Sequence, residues 1–267
     1  AVYGFCRMIR KLIDTHNPSH MVLVWDSKGK TERHELYPAY KETRQAPPND
    51  LFQQKELIQE FAETIGVEQL AVPAIEADDL MYSVAKCLEE KGCDSIIVSP
   101  DKDLGQMLGA HVTMFDPFKD EQITKETLEA KLGFELHKLP FYYALVGDSS
   151  DNIPGVAGIG PKGATKLVTQ FDSLEDLYES LDTISSERTR SLLSTSRDNA
   201  FLSQELFRLR FHELDAELEK YAFSKDSWKA AYPLFQAYQF KSFLKDVPQG
   251  EVPSKQSELS VLADTYT

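Results

Sequence analysis

Gly147 to Leu167 reads GDSSDNIPGVAGIGPKGATKL. Inside it, Gly158-Ile-Gly160-Pro-Lys-Gly163 matches G-x-G-x-x-G, and how that match is read decides the fold. A dinucleotide-binding fold needs a β-strand directly before the pattern and an acidic residue about twenty residues after it. The preceding DSSDNIPGVA is no strand pattern. The better reading is a glycine-spaced turn (Gly155, Gly158, Gly160, Gly163) that lets backbone N–H groups approach a phosphate. A helix opening at Pro161 would aim its positive end there, with Lys162 and Lys166 beside it. In the first half, Asp148 and Asp151 lie three apart and would share one face of a helix. Two carboxylates with no base between them repel unless a cation intervenes. An acidic pair beside a phosphate cradle points to metal-assisted chemistry on a phosphate polymer.

Working outward, MVLVW (Met21–Trp25) is a continuous apolar run, as in a strand buried on both faces, with Asp26 at its carboxyl end. The pattern recurs at Ser95–Ser99, followed by Asp101 and Asp103. Val67–Val72 and Val112–Phe115 are two further strand candidates. Helical spacing is expected over residues 1–15, 51–65, 77–90 and 125–132. Strands alternating with helices predict an α/β fold: a parallel-type central sheet flanked by helices. Ligands of such sheets sit beyond the carboxyl ends of the strands, where Asp26, Asp101 and Asp103 fall. Glu76-Ala-Asp78-Asp79 opens the helix at 77, and three carboxylates exceed what a cap needs.

The chain has 267 residues and a net charge of −14. Eight of its carboxylates belong to these clusters: Asp26, Glu76, Asp78, Asp79, Asp101, Asp103, Asp148 and Asp151. Removing eight negative charges from −14 leaves −6, so the balance does not exclude a nucleic-acid partner. The basic–aromatic segment Lys28–Arg44 favours one. Arg33, Tyr37, Tyr40, Lys41 and Arg44 follow helical spacing, and such a face suits a single strand whose bases stack while cations hold phosphates. Three cysteines without C-x-x-C suggest a reducing compartment, and no run is apolar and long enough to span a membrane. Beyond 170 the pattern is helical; residues 248–258 read as a linker and 259–267 as the start of another domain.

VWDSKGKTERHELYPAYKETR, EADD, SPDKDL and GDSSDNIPGVAGIGPKGATKL, in that order, resemble the 5′-nuclease domain of bacterial DNA polymerase I and the wider flap-endonuclease family. The resemblance covers about residues 1–245. It implies a PIN/5′-nuclease-like core over 1–145 with a helical arch at about 28–46. A helical region with a helix-hairpin-helix would follow over 146–247, and a linker into the next domain over 248–267. It implies a metal-dependent, structure-specific 5′-3′ exonuclease and flap endonuclease on DNA, in a bacterial cytoplasmic, monomeric protein joined to a polymerase. Its substrates would be nicked or branched duplexes with a 5′ end or flap, including RNA primers on DNA, and no membrane is involved. Glu76, Asp78, Asp79, Asp101, Asp103, Asp148 and Asp151 would hold Mg²⁺, for which Mn²⁺ can substitute. Asp26, Lys41 and Arg44 would act in catalysis. Arg33, Tyr40, Lys41 and Arg44 would bind DNA at the arch. Gly155, Gly158, Gly160, Lys162, Gly163, Thr165 and Lys166 would bind it at the hairpin, together with K⁺. Two metals about 3.5–4 Å apart can activate a water and stabilise the leaving oxygen.

The resemblance further expects a strand with another metal-binding aspartate upstream of the helix at 2–13; without it the fragment is expected to be impaired. Two alternatives remain at this stage: a PIN-type ribonuclease, and a non-catalytic DNA-binding scaffold whose carboxylates merely cap helices.

Overall fold

A computed structural model describes residues 1–44, 48–214 and 217–245. In chain order the first elements are α1 (Val2–His16), β1 (Val22–Val24), α2 (Glu32–Leu36), α3 (Asn49–Thr64), β2 (Glu68–Leu70) and α4 (Ala77–Glu90). β3 (Ser95–Val98), β4 (Val112–Asp116) and β5 (Glu121–Ile123) follow. Then come the helices α5 (Lys125–Leu132), α6 (Leu139–Val146), α7 (Pro161–Gln170), α8 (Leu174–Glu179), α9 (Glu187–Thr195), α10 (Arg197–Phe207) and α11 (Tyr232–Ala237). The expected linker at 248–267 and the end of the expected arch, residues 45–46, lie outside the described residues.

The chain forms two compact units that interleave along the sequence. The first gathers residues 1–25, 48–70 and 217–245. α1 turns Val2, Cys6, Ile9, Leu12 and Ile13 inward at helical spacing. Burial pushes the Cys6 thiol up to about 12, which marks it as a core side chain and not a reactive one. β1 and β2 pair in parallel, Val22 opposite Glu68 and Val24 opposite Leu70. Phe61, on α3, is fully buried against Trp228 and Phe235.

The second unit, residues 26–44 and 71–214, holds the acidic motifs. β3 and β4 pair in parallel and β5 returns antiparallel to β4. The single parallel sheet expected from the alternation is therefore drawn as two small sheets. β5 escapes the sequence pattern because Glu-Gln-Ile is short and mostly polar, with no alternation to betray a strand. α6 is apolar nearly all round (LPFYYALV) and forms the centre of this unit's core, packed on α10 and α7. Tyr143 of α6 stacks on Phe207 of α10 at 3.9 Å between ring centroids. Leu145 is completely buried there. Leu145→Ala is expected to cost about 2–5 kcal/mol, whereas Phe118→Ala, at a site 83% exposed, should stay within about 0.5 kcal/mol. Thermal unfolding of the two variants checks this contrast.

Candidate active site

The acidic residues reach the site on four pieces of the second unit. Asp26 opens it just past β1, and its Oδ1 accepts the Ala77 N–H at 2.9 Å, capping the start of α4. Glu76 is the N-cap of α4, and Asp78 and Asp79 sit in its first turn. Asp101 and Asp103 follow β3, where Asp101 Oδ1 accepts the Asp103 N–H at 2.9 Å and starts a 3₁₀ turn. Asp148 and Asp151 follow α6.

The last pair corrects an expectation. Asp148 and Asp151 do not lie on a helix. They occupy a turn in which Asp148 and Ile153 exchange backbone hydrogen bonds and Asp148 Oδ1 accepts both the N–H and the hydroxyl of Ser150. The turn closes glycine on glycine. Gly147 has φ +70, and a Cβ there would stand 2.5 Å from the Ile153 carbonyl oxygen and 2.8 Å from the Gly155 nitrogen. Gly155 (φ +60) is equally blocked, by Gly147. Gly155 is thus required by the turn itself.

The arch segment needs a larger correction. Residues 38–44 form turns, and Lys41 has φ +57, so the five basic and aromatic side chains do not share a helical face. Arg33 is 4% exposed and forks onto Asp79, Nη1 to Oδ2 at 2.5 Å and Nη2 to Oδ1 at 2.9 Å. Tyr40, also 4% exposed, packs with Ile153 and Leu206 and donates its hydroxyl to Glu76 at 3.2 Å. Neither side chain offers a surface for a base or a phosphate. Lys41 Nζ donates to Glu76 Oε2 at 3.0 Å, and Arg44 Nε to Asp151 Oδ1 at 2.7 Å. The segment is docked by its backbone too, with the Lys41 N–H on the Asp151 carbonyl and Asn152 on the Ala39 carbonyl.

The carboxylates divide into two electrostatic kinds. Burial opposes ionisation of Glu76, but Lys41 and Arg33 outweigh it and hold the carboxyl below its usual range. Asp78 and Asp103 go the other way. Burial, then Asp101 and Asp26, raise Asp78 to about 6. Burial, then Asp101, with Asp148 and Asp151 adding, raise Asp103 to about 7. These two carboxyls sit mainly among like charges, and Lys41 beside Asp78 and Lys102 beside Asp103 offset the rise only in part. Asp103 Oδ1 is buried and has no hydrogen-bond partner.

Among the described residues, no three His, Cys, Asp or Glu side chains stand together as a ready metal cage. The donor chemistry nevertheless fits an oxygen-seeking divalent cation. A buried, unpartnered carboxylate oxygen inside a field of carboxylates is the environment such an ion stabilises.

α6 and α7 pack on each other across the loop 147–160, giving the expected helix-hairpin-helix arrangement. Gly160 is the N-cap of α7, Pro161 its first residue, and nothing lies within 4 Å of where a Gly160 Cβ would be. Lys162, Gly163 and Lys166 are exposed beside it, while Thr165 is half-buried. Gly160, Lys162, Gly163 and Lys166, together with the N-terminal end of α9, border a groove of about 680 Å³.

Sequence reading missed the contribution of α10 and the irregular segment after it. The carbonyls of Leu206 and Arg208 accept from Arg33, and the Arg210 N–H donates to Asp79. Backbone carbonyls carry no sequence signal, so no pattern could have named them.

Residues 1–133 match the family described as 5′-3′ exonuclease, N-terminal resolvase-like domain, and residues 134–229 the 5′-3′ exonuclease, C-terminal SAM fold. A 5′-3′ exonuclease of Aquifex aeolicus is 35% identical, with 92% of this chain and 84% of that protein covered. The DNA polymerase I of Rhizobium leguminosarum is 38% identical over 82% of this chain. The chain spans only 22% of that polymerase, and 31% of the Bacillus caldotenax DNA polymerase I, to which it is 33% identical. Among solved structures, a bacteriophage T5 5′-exonuclease with bound zinc superposes with a TM-score of 0.67 at 18% identity, covering 91% of this chain and 90% of that one. The catalytic core of Rad2 with a DNA substrate reaches 0.58 at 18% identity over 91% of this chain and 79% of that one. At such identities the likeness shows the fold. A resolvase-like domain followed by a helical SAM-type domain, matched along both halves, makes this chain a member of the 5′-3′ exonuclease family.

Proposed function

We propose that the chain is the nuclease part of a DNA polymerase I-like protein and hydrolyses phosphodiesters near 5′ ends and flaps of branched or nicked duplex DNA. The observation that carries this reading is the buried, unpartnered Asp103 Oδ1 in a field set by Asp101, Asp148 and Asp151, with Asp101 shared by Asp78. Asp78, Asp101, Asp103, Asp148 and Asp151 would hold Mg²⁺, or Mn²⁺ in its place, with Asp26 beside them. Bound divalent ions there would supply an activated water and charge stabilisation at the leaving oxygen. T5 5′-exonuclease structures with bound zinc and other metal ions support the cofactor class for those proteins.

Lys41 and Arg44 take the phosphate. Each is already held over the site by a carboxylate, Glu76 and Asp151, so incoming phosphodiester oxygens meet prepositioned donors. The start of α7, with Gly158, Gly160, Lys162, Gly163, Thr165 and Lys166, grips the downstream duplex by its backbone, with K⁺ as a candidate companion ion. Contacts of this kind read shape, not sequence. The protein works in a bacterial cytoplasm on DNA and on RNA primers annealed to it; among the described residues no helix is long and apolar enough to cross a membrane.

The test compares labelled 5′-flap duplex, blunt duplex and all-RNA hairpin under one set of conditions with Mg²⁺. Cutting near the flap junction with little on the other substrates is expected. Preferential cutting of the RNA hairpin would move the PIN-type ribonuclease ahead. Lys162→Ala and Lys166→Ala should each lower duplex affinity equally on unrelated sequences and flatten the log–log salt dependence by about one unit. An unchanged salt slope in both would take the hairpin out of the interface.

A further inference from the structure

Arg33 and Asp79 were expected on opposite sides of the chemistry, one as a DNA contact and the other as a metal ligand. Their geometry allows neither role. Asp79 is 2% exposed, and both of its oxygens are spent: Oδ2 on Arg33 Nη1, Oδ1 on Arg33 Nη2 and on the Arg210 N–H at 2.9 Å. Arg33 is spent as fully. Its Nε donates to the Leu206 carbonyl at 2.8 Å and its Nη2 also to the Arg208 carbonyl at 3.0 Å. A planar fork bonded bidentately inside the protein cannot turn outward without leaving several buried groups unpaired.

We propose that Arg33 and Asp79 are a positioning pair, which fixes the first turn of α4 so that Asp78 alone of that turn faces the metal-binding carboxylates. This inference rests on the metal-dependent nuclease reading above. Helix geometry carries it: Asp79 is three residues from Glu76 and shares its face, whereas Asp78 projects about 100° away. Glu76 lies on the Arg33 side, with Arg33 Nη1 at 3.5 Å, and is bonded to Thr31, Tyr40 and Lys41. For Asp78 the strongest charged neighbours are Asp101 and Asp26, ahead of Lys41 and Glu76. Further bonds hold the same three pieces together. Ser83, one turn beyond Asp79, accepts from the His212 N–H at 2.9 Å, and Arg210 Nη1 donates to Glu32 of α2 at 2.7 Å. The pair therefore ties α2, α4 and the segment after α10 into one block, and the block sets which way Asp78 points.

The experiment titrates Mn²⁺, by its free-ion paramagnetic signal, into residues 1–267 and into the variants Asp78→Asn, Asp79→Asn and the double variant Arg33→Met/Asp79→Leu, alongside thermal unfolding. Asp78→Asn should weaken Mn²⁺ binding at least tenfold. Asp79→Asn and the folded double variant keep Asp78 but lose the fork that aims it, so each should weaken Mn²⁺ binding by an intermediate factor, about threefold to fivefold. Arg33→Met or Asp79→Leu alone leaves one buried charge bare and should lower the melting temperature by about 10 °C, with the double variant recovering a substantial part of the loss. A tenfold loss of Mn²⁺ affinity in Asp79→Asn with unchanged melting temperature would overturn the assignment and make Asp79 a ligand. Additive melting losses in the two singles and the double would overturn the pairing. Absence of Mn²⁺ binding by the wild type would sink the metal reading instead, and the melting cycle would still decide the pair.

Discussion

Asp103→Asn is expected to raise stability and to remove cleavage. The carboxyl is lifted to about 7 by burial and by Asp101, so folding favours its protonated form. The sign follows directly. In the unfolded chain the group titrates near 3.9, so between about pH 4 and pH 7 the folded state holds the extra proton. The stability this proton confers is complete below pH 4 and is lost as pH rises through 7. Asparagine stays neutral throughout. Without divalent ions the variant should therefore exceed wild type by about 1–2 kcal/mol at pH 8, and the gap should close toward pH 4. Cleavage of a 5′-flap duplex should fall by about 10²–10³, because the replaced oxygen is the buried one with no other partner. Thermal unfolding from pH 4 to 8 without metal, with flap cleavage in parallel, checks both halves. A variant less stable than wild type at pH 8 would mean that Asp103 is engaged in a bond the account denies it.

Gly147→Ala should damage the fold as much as any core truncation. The new methyl would meet the Ile153 carbonyl oxygen at 2.5 Å and the Gly155 nitrogen at 2.8 Å, both backbone atoms that no rotamer change can clear. The positive φ adds strain of its own. Overpacking and strain together should cost about 3 kcal/mol or more, with a melting loss of about 2–4 °C per kcal/mol. Because the turn carries Asp148 and Asp151, cleavage should fall beyond what the unfolded fraction explains. Gly155→Ala meets the same obstacle from the other side, so the two should be far from additive when combined. Gly160→Ala is the control. Its Cβ meets nothing within 4 Å and its φ is −93°, so stability should hold while duplex binding weakens. A stable, active Gly147→Ala would show that the turn is looser than described.

The strands and helices that carry the acids were legible because their signals are local. An apolar run ending in aspartate marks β1 and β3, and Glu76-Ala-Asp78-Asp79 marks the start of α4 at its observed position. α6 was not anticipated, since LPFYYALV is apolar on every side and shows no period. The arch misled for a different reason. Arg33 and Tyr40 at helical spacing read as a solvent face when their partners are unknown. Asp79 lies 46 residues from Arg33 and the Leu206 carbonyl 173, and no local pattern records such distances. The same limit hid the role of Gly155, whose need for φ > 0 and for the absence of a Cβ comes from Gly147 across the turn.

The central claim is that the carboxylates around Asp103 form the metal-dependent centre of a 5′-nuclease. Single-turnover cleavage of a 5′-labelled flap duplex tests it most directly, with Mg²⁺ titrated up from a chelated start, for this chain and its Asp101→Asn variant. The account predicts junction-proximal cutting that appears only with Mg²⁺ and that Asp101→Asn abolishes while leaving DNA binding intact. Cutting that persists in the chelated sample, or that is indifferent to Asp101, would contradict it.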